Sequence, residues 1–152
     1  MNNWFVPIPR VKAADTSRAS ATTESNDPDL SMTVAANSTY WVDLFLNYEG
    51  GTQGAADLKL GFAVPASATL RSSADYVNSS GGAVTEVYYT SGGAALIPGT
   101  NGAGNIRGLS LRGTLITAGS SGTFALSWAQ NTSSGTATIL HTGSALVLRL
   151  IA

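Results

Sequence analysis

The chain has 152 residues, no cysteine and a formal net charge of −1, and only 11% of its residues are Asp, Glu, Lys or Arg. One domain of this size can bury a hydrophobic core without stabilisation by disulfides or metal ions. The lack of cysteine excludes a disulfide framework and a thiolate metal site. The eight Lys and Arg residues are too scattered for the basic surface that binds nucleic acid, and no run of about eighteen apolar residues predicts a membrane span.

Residues 1–29 predict an extended N-terminal arm ahead of a β-sandwich domain of residues 30–152. Pro7 and Pro9 fix φ and cannot donate to a ladder, and the start lacks the features of a signal peptide. The tip of the arm is apolar and consists of Trp4, Phe5, Val6 and Ile8. We expect this tip to bind a partner surface: this domain's own sandwich, a neighbouring subunit or, if the tip is a non-native extension, neither. Removing residues 1–12 is expected to abolish docking on a partner and to leave the domain's stability unchanged.

The acidic stretch "ESNDPD" within the arm raises the question of a metal site. Glu24, Asp27 and Asp29 are spaced in a way that can hold calcium through oxygen ligands. The glycine that lets a calcium loop turn sharply is absent, and Asp27 followed by Pro28 commonly opens a turn. We therefore predict a solvated turn ahead of the first strand, with no metal.

Apolar and polar residues alternate along most of the remaining chain, which predicts strands with one buried face. About eight such segments occur, at residues 30–35, 39–48, 57–65, 86–90, 108–117, 123–130, 137–140 and 144–151. Glycine-rich turns separate them, and no stretch of about ten residues has the helical period. The fold class is therefore predicted to be all-β: a single-domain antiparallel β-sandwich, jelly-roll-like, of about eight strands.

The segment "TYWVDLFLNY" is apolar on both of its faces. Trp41 and Phe45 lie opposite the face that carries Val42 and Leu44. A strand of this kind is either central between two layers or pressed against a partner. Three interpretations of Trp41 and Phe45 stay open: a subunit contact, a second layer of core, or a platform on which sugar rings stack. Trp128, by contrast, is predicted to be core.

Catalytic chemistry finds little support in the side chains. The one histidine, His141, lies in the turn-like segment "ILHTGS", so a serine triad would have a single possible base. We interpret it as an exposed or turn-packed residue. No catalytic residue, cofactor site or metal site is predicted, and the chain is not expected to be an enzyme.

The closing segment carries a family resemblance. "WAQNTS" (128–133), "TAT" (136–138), "GSALVLR" (143–149) and the tail "LIA" resemble the C-terminal signature of small β-sandwich virion proteins of actinobacterial phages and prophages. Upstream, the opening "KAAD", the stretch "AANSTYW", a glycine hairpin and "DLK" agree with that family in the same order. The resemblance covers about residues 10–150. The family's final strand usually ends with more basic residues, whereas this chain has only Arg149.

The resemblance implies a non-enzymatic structural protein on the exterior of the phage particle. Capsid decoration or cement is the first expectation, and a minor tail or tail-fibre component is the alternative. Its partners would be the major capsid protein or other virion subunits. A homo-oligomer is expected, with a trimer around a three-fold axis as the first expectation. A hypothesis from a different class is a module that binds host cell-wall carbohydrate through exposed aromatic residues.

Overall fold

A computed structural model describes residues 7–152, and it confirms the predicted all-β sandwich. These residues form eleven strands in two antiparallel sheets. The strands are β1 (Ile8–Val11), β2 (Thr16–Arg18), β3 (Ser25–Val34), β4 (Thr39–Glu49), β5 (Leu58–Ala63), β6 (Thr69–Val77), β7 (Val84–Thr90), β8 (Arg107–Ile116), β9 (Gly122–Gln130), β10 (Thr138–Leu140) and β11 (Ala145–Leu150). Within residues 7–152, no helix is long and apolar enough to cross a membrane.

The two sheets differ in size. The large sheet has the order β1-β11-β4-β8-β6-β7, with β10 pairing to β4 and to β2. The small sheet has the order β3-β9-β5. The central strand β4 pairs with β8 from Thr39 to Tyr48 and with β11 from Tyr40 to Phe45. The jelly-roll-like connectivity expected from the sequence stays a prediction.

The core lies between the sheets and follows the alternation of each strand. From the large sheet, β4 contributes Val42 and Leu44, which are almost fully buried. From the small sheet, β9 contributes Phe124, Leu126 and Trp128, each fully buried, so the prediction that Trp128 is a core residue is confirmed. Alternate residues face the core because successive side chains of a strand point to opposite sides of the sheet.

The described part of the predicted arm is paired into the sandwich of the same chain. Strand β1 lies against β11, with Ile8 opposite Leu148, and β2 lies against β10. The predicted boundary between residues 29 and 30 falls inside β3. Deleting residues 1–12 would therefore remove a strand of the large sheet. We now expect this deletion to destabilise the domain, which corrects the expectation that its stability would stay unchanged.

All eight predicted segments contain a strand, and the structure adds β1, β2 and β6. In β6 the residues that face the core are Leu70, Ser72, Ala74 and Tyr76. Because a serine and an alanine occupy two of these positions, the hydropathy hardly alternates along the segment. The alternation of apolar and polar residues therefore did not predict this strand. In β1, Pro9 argued against a strand, but an edge position tolerates proline.

Candidate functional site

The outer face of the large sheet is the side turned away from the small sheet, and it carries two exposed aromatic rings. Trp41 is 39% exposed and Phe45 is 46% exposed, and both project from β4 on this face. The ring of Phe45 lies over Gly108, where an added Cβ would be 3.5 Å from the ring carbons. Neither ring belongs to a second layer of core, so a subunit contact and a sugar platform are the two interpretations that stay open.

Charged groups separate the two rings. Asp43 lies between them on β4, and its carboxylate accepts a hydrogen bond from the indole Nε1 of Trp41 at 2.9 Å. Its other oxygen is 3.2 Å from Nε of Arg112 on β8, in an ion pair that is largely exposed. Exposed pairs of this kind contribute at most about 1 kcal/mol to stability. The pair is therefore available to form new hydrogen bonds with a ligand or a subunit.

Two shallow depressions meet on this face. One, of about 360 Å³, is lined by residues that include Phe45, Ser110 and Arg112. The other, of about 420 Å³, shares Ser110 and Arg112 and extends to the carboxylates of Asp75 and Glu86. Together they join an apolar half near β11 and β4 to an acidic half on β6 and β7.

The structure places Ile8, the described residue of the predicted arm tip, away from Trp41 and Phe45. Ile8 is 39% exposed and lies opposite Leu148, whose side chain is buried between the sheets. Partners in a ladder share a face, so Ile8 is on the inner side of the large sheet, at its edge. Trp4, Phe5 and Val6 lie outside the described residues. Trp41 and Phe45 are thus the predicted contact residues that the structure brings together.

A buried ion pair fastens the residue that follows β1 to strand β3. Nζ of Lys12 is 2.8 Å from Oδ2 of Asp27, and both side chains are fully buried. Nζ also donates to Oγ1 of Thr16 at 2.7 Å. The indole Nε1 of Trp128 donates to the same Asp27 oxygen at 3.2 Å. The prediction that this acidic stretch is a solvated turn is therefore wrong for Asp27, whose carboxylate is an internal anchor.

Arg18 packs on the outer side of the cluster formed by Lys12, Asp27 and Trp128. Its guanidinium lies 4.0 Å from the centre of the Trp128 ring, in a cation–π contact. It also donates to the backbone carbonyls of Trp128 and Ser25. Partial burial lowers the pKa of Arg18 below its ordinary value. The cluster fastens β2 and β3 to β9, and within residues 7–152 no group of three or more His, Cys, Asp or Glu side chains is placed to hold a metal ion.

Sequence reasoning missed both cations of this cluster. Lysine is almost never fully buried without a partner, so composition gives no reason to place Lys12 inside. The available signal was the opening "KAAD", which was noted only as a point of resemblance.

His141 is packed between two carboxylates. Its Nδ1 is 2.9 Å from Oδ2 of Asp15, and its Nε2 is 3.7 Å from Oε2 of Glu49. The backbone N–H of Thr142 donates to the other Asp15 oxygen at 2.7 Å. This N–H, followed by the imidazole, holds the pKa of Asp15 below its ordinary value of 3.8. Among the described residues, the imidazole has no hydroxyl as a hydrogen-bond partner, and the group fastens the β1–β2 link to the β10–β11 turn.

No protein-family model matches the chain, and neither does any curated protein. Among solved structures, the VP2 subviral particle of infectious bursal disease virus is similar at 13% identity over 97% of this chain, with a TM-score of 0.27. The Gx strain of that virus gives 12% identity over 95% of the chain and a TM-score of 0.29. The chain spans 40% of the length of each of these two proteins. Scores at this level carry no argument about fold or function.

Proposed function

We propose that the chain is a non-enzymatic structural protein on the exterior of a phage particle, most directly a capsid decoration or cement protein. The assignment to a virion rests on the ordered motifs that resemble the actinobacterial phage family. The observation that carries a binding role is the uncovered outer face of the large sheet, where Trp41 and Phe45 are 39% and 46% exposed. Large apolar side chains grouped on a surface commonly mark an interaction site.

The chemistry of the outer face suits contact with another protein subunit. Aromatic residues and arginine are the types enriched in interfaces, and a ring at the centre of a contact often carries much of the binding energy. Phe45 has an apolar surrounding in Ala145 and Val147, whereas Arg112 and Asp43 supply polar groups beside it. The proposed partner is the major capsid protein or another virion subunit, and the proposed location is the virion.

The location is tested by labelling particles. Phage particles from the producing bacterium are purified, and antibodies against the chain are detected on them by electron microscopy. Label spread over the head supports capsid decoration, and label confined to the tail supports the alternative of a minor tail or fibre component. Particles without label, from cells that do produce the protein, would refute the proposed function.

The surface is tested by loading purified variants onto particles that lack the protein. Phe45→Ser is expected to weaken loading at least about tenfold, as removal of a central aromatic contact does. Ile106→Ser is the matched control, because Ile106 is 58% exposed but lies in the loop before β8. Equal loading of both variants would show that the outer face does not bind the particle.

The arm needs a separate variant. Deleting residues 1–6 removes Trp4, Phe5 and Val6 and leaves β1 and the buried Lys12 in place. Reduced loading of this variant, with an unchanged thermal melt, would support docking of the arm tip on a neighbour. Unchanged loading would restrict the contact to other surfaces.

A host cell-wall glycan is the second candidate ligand, favoured by one observation. Trp41 and Phe45 present exposed rings on a sheet face, and Asp43 and Arg112 offer hydrogen-bonding groups between them. Planar rings can stack on sugars while polar groups fix their orientation. Binding to purified cell walls that Trp41→Ala abolishes, without label on particles, would favour this function over the first.

A further inference from the structure

Unpaired strand edges attract other strands, and most edges of this sandwich are protected. An edge strand presents a row of free N–H and C=O groups, which proteins block with proline, bulges, shortness or covering loops. Edge strand β1 contains Pro9, and edge strand β3 contains Pro28. Strand β5 is covered by a loop, because the N–H of Leu60 donates to the carbonyl of Leu96 at 3.0 Å. Strand β2 is only three residues long.

Strand β7 lacks each of these protections. It has seven residues, Val84–Thr90, with neither proline, glycine nor lysine. Its pairing with β6 runs without a register shift, and it ends the large sheet. Val84 and Tyr88 are 66% and 64% exposed. Of the strand edges in residues 7–152, the edge of β7 is therefore the one most accessible to the addition of another strand.

The alternation of the ladder shows which backbone groups are free. Ser91 N donates to the Leu70 carbonyl at 3.0 Å, immediately after the β6–β7 ladder and in the same register. Because hydrogen-bonded and non-hydrogen-bonded pairs alternate in an antiparallel ladder, Thr85, Val87 and Tyr89 bond to β6. The residues whose N–H and C=O groups point away from the sheet are then Val84, Glu86, Tyr88 and Thr90. The Thr90 carbonyl already accepts a hydrogen bond from the N–H of Gly93 at 2.9 Å, so the groups left for another strand are those of Val84, Glu86 and Tyr88 and the N–H of Thr90.

We propose that β7 pairs with β7 of a second copy of this chain, antiparallel around a two-fold axis through Val87. In this register all seven residues overlap, and the outward-pointing residues face one another. Glu86 lies opposite Tyr88 of the second copy, and Val84 lies opposite its Thr90. A register centred on Glu86 would instead place two carboxylates opposite each other, which is destabilising. The strand is thus complementary to itself in its longest register, and self-pairing is the isologous arrangement typical of dimers.

Pairing at this edge joins two large sheets into one continuous sheet. It leaves Trp41 and Phe45 uncovered, since they lie on β4, three strands away from β7. The contact yields a dimer in place of the trimer expected from the sequence. It does not rest on the proposed function, because it is measured on the purified protein without any particle.

Single cysteines test the register, since the natural chain has none. Val87→Cys places the two cysteines in a non-hydrogen-bonded pair with Cα atoms about 4.5 Å apart, within reach of a disulfide. Thr85→Cys is the matched control: it lies opposite Tyr89 of the second copy, so the two cysteines would be roughly 13 Å apart. We expect mild oxidation to cross-link Val87→Cys alone. Cross-linking of neither variant, of both equally, or of Glu86→Cys in preference would overturn the proposal.

Charge at Tyr88 provides a second test that keeps the backbone unchanged. Tyr88→Glu sets two carboxylates opposite each other on both sides of the axis, whereas Tyr88→Lys sets a cation opposite Glu86. Tyr88 is exposed, so both variants are expected to fold, which a thermal melt checks. By analytical ultracentrifugation, Tyr88→Glu should weaken the dimer about tenfold relative to Tyr88→Lys. A wild-type monomer or trimer, or equal dissociation constants for the two variants, would contradict the proposal.

Discussion

Replacing Lys12 by methionine is expected to lower the free energy of unfolding by about 3 kcal/mol. The Lys12 ammonium is 2.8 Å from the Asp27 carboxylate, and neither side chain is exposed. Removing one partner of such a pair leaves an uncompensated buried charge, at a cost of about 3–5 kcal/mol. The lower end applies because Asp27 keeps the N–H donors of Trp128, Asp29 and Leu30.

Guanidinium denaturation followed by tryptophan fluorescence measures this loss, since Trp128 is in contact with the pair. Arg112→Met is the matched control: it breaks the exposed pair with Asp43 and should change the stability by less than about 1 kcal/mol. The double variant Lys12→Met with Asp27→Asn should recover part of the loss, because the buried charge is then gone. A Lys12→Met variant that loses no more than Arg112→Met would refute the reasoning that this pair stabilises the packing of the segment after β1 on β3.

Two further predictions concern backbone contact and pH. Gly113→Ala should destabilise by more than about 2 kcal/mol in the same denaturation assay, because an added Cβ would lie 2.3 Å from the Arg71 carbonyl oxygen; a loss within error would contradict this packing. The Thr142 N–H lowers the pKa of Asp15 in the folded protein below 3.8. The ionised Asp15 carboxylate therefore stabilises the fold above about pH 4, and this stabilisation is lost as the pH falls through the pKa of Asp15 in the folded state. Asp15→Asn should therefore flatten the acid limb of melting temperature against pH, and an identical limb in both proteins would disprove the linkage.

The strands that sequence pattern found are those whose buried side is uniformly apolar. In β4 and β8 every core-facing side chain is aliphatic or aromatic, apart from Arg107 and Gly113, so the period of two is visible in the sequence. Strand β6 buries Ser72 and Ala74 in equivalent positions, and its pattern is lost. Fold class could thus be predicted, whereas the number of strands could not.

Contacts of the candidate sites depend on residues far apart in the chain. His141 meets Asp15 across 126 positions, and Trp128 meets Asp27 across 101. No local pattern encodes such pairs, and a lysine such as Lys12 is usually solvated. The alternation of β4 left open whether Trp41 and Phe45 are exposed or belong to a second layer of core. The order of the strands in the two sheets, and not the local pattern, decides between these two options.

The position of β11 has a kinetic consequence. Residues 145–150 lie between β1 and β4 in the large sheet. Two strands from the first third of the chain therefore cannot complete their pairing until a segment more than ninety residues further along has been synthesised. Folds dominated by such distant pairings form slowly, over milliseconds to seconds, because loop closure precedes the contacts that reward it. While β11 is missing, the edges of β1 and β4 that it covers stay open, and this is the interval in which the nascent chain is most prone to aggregate.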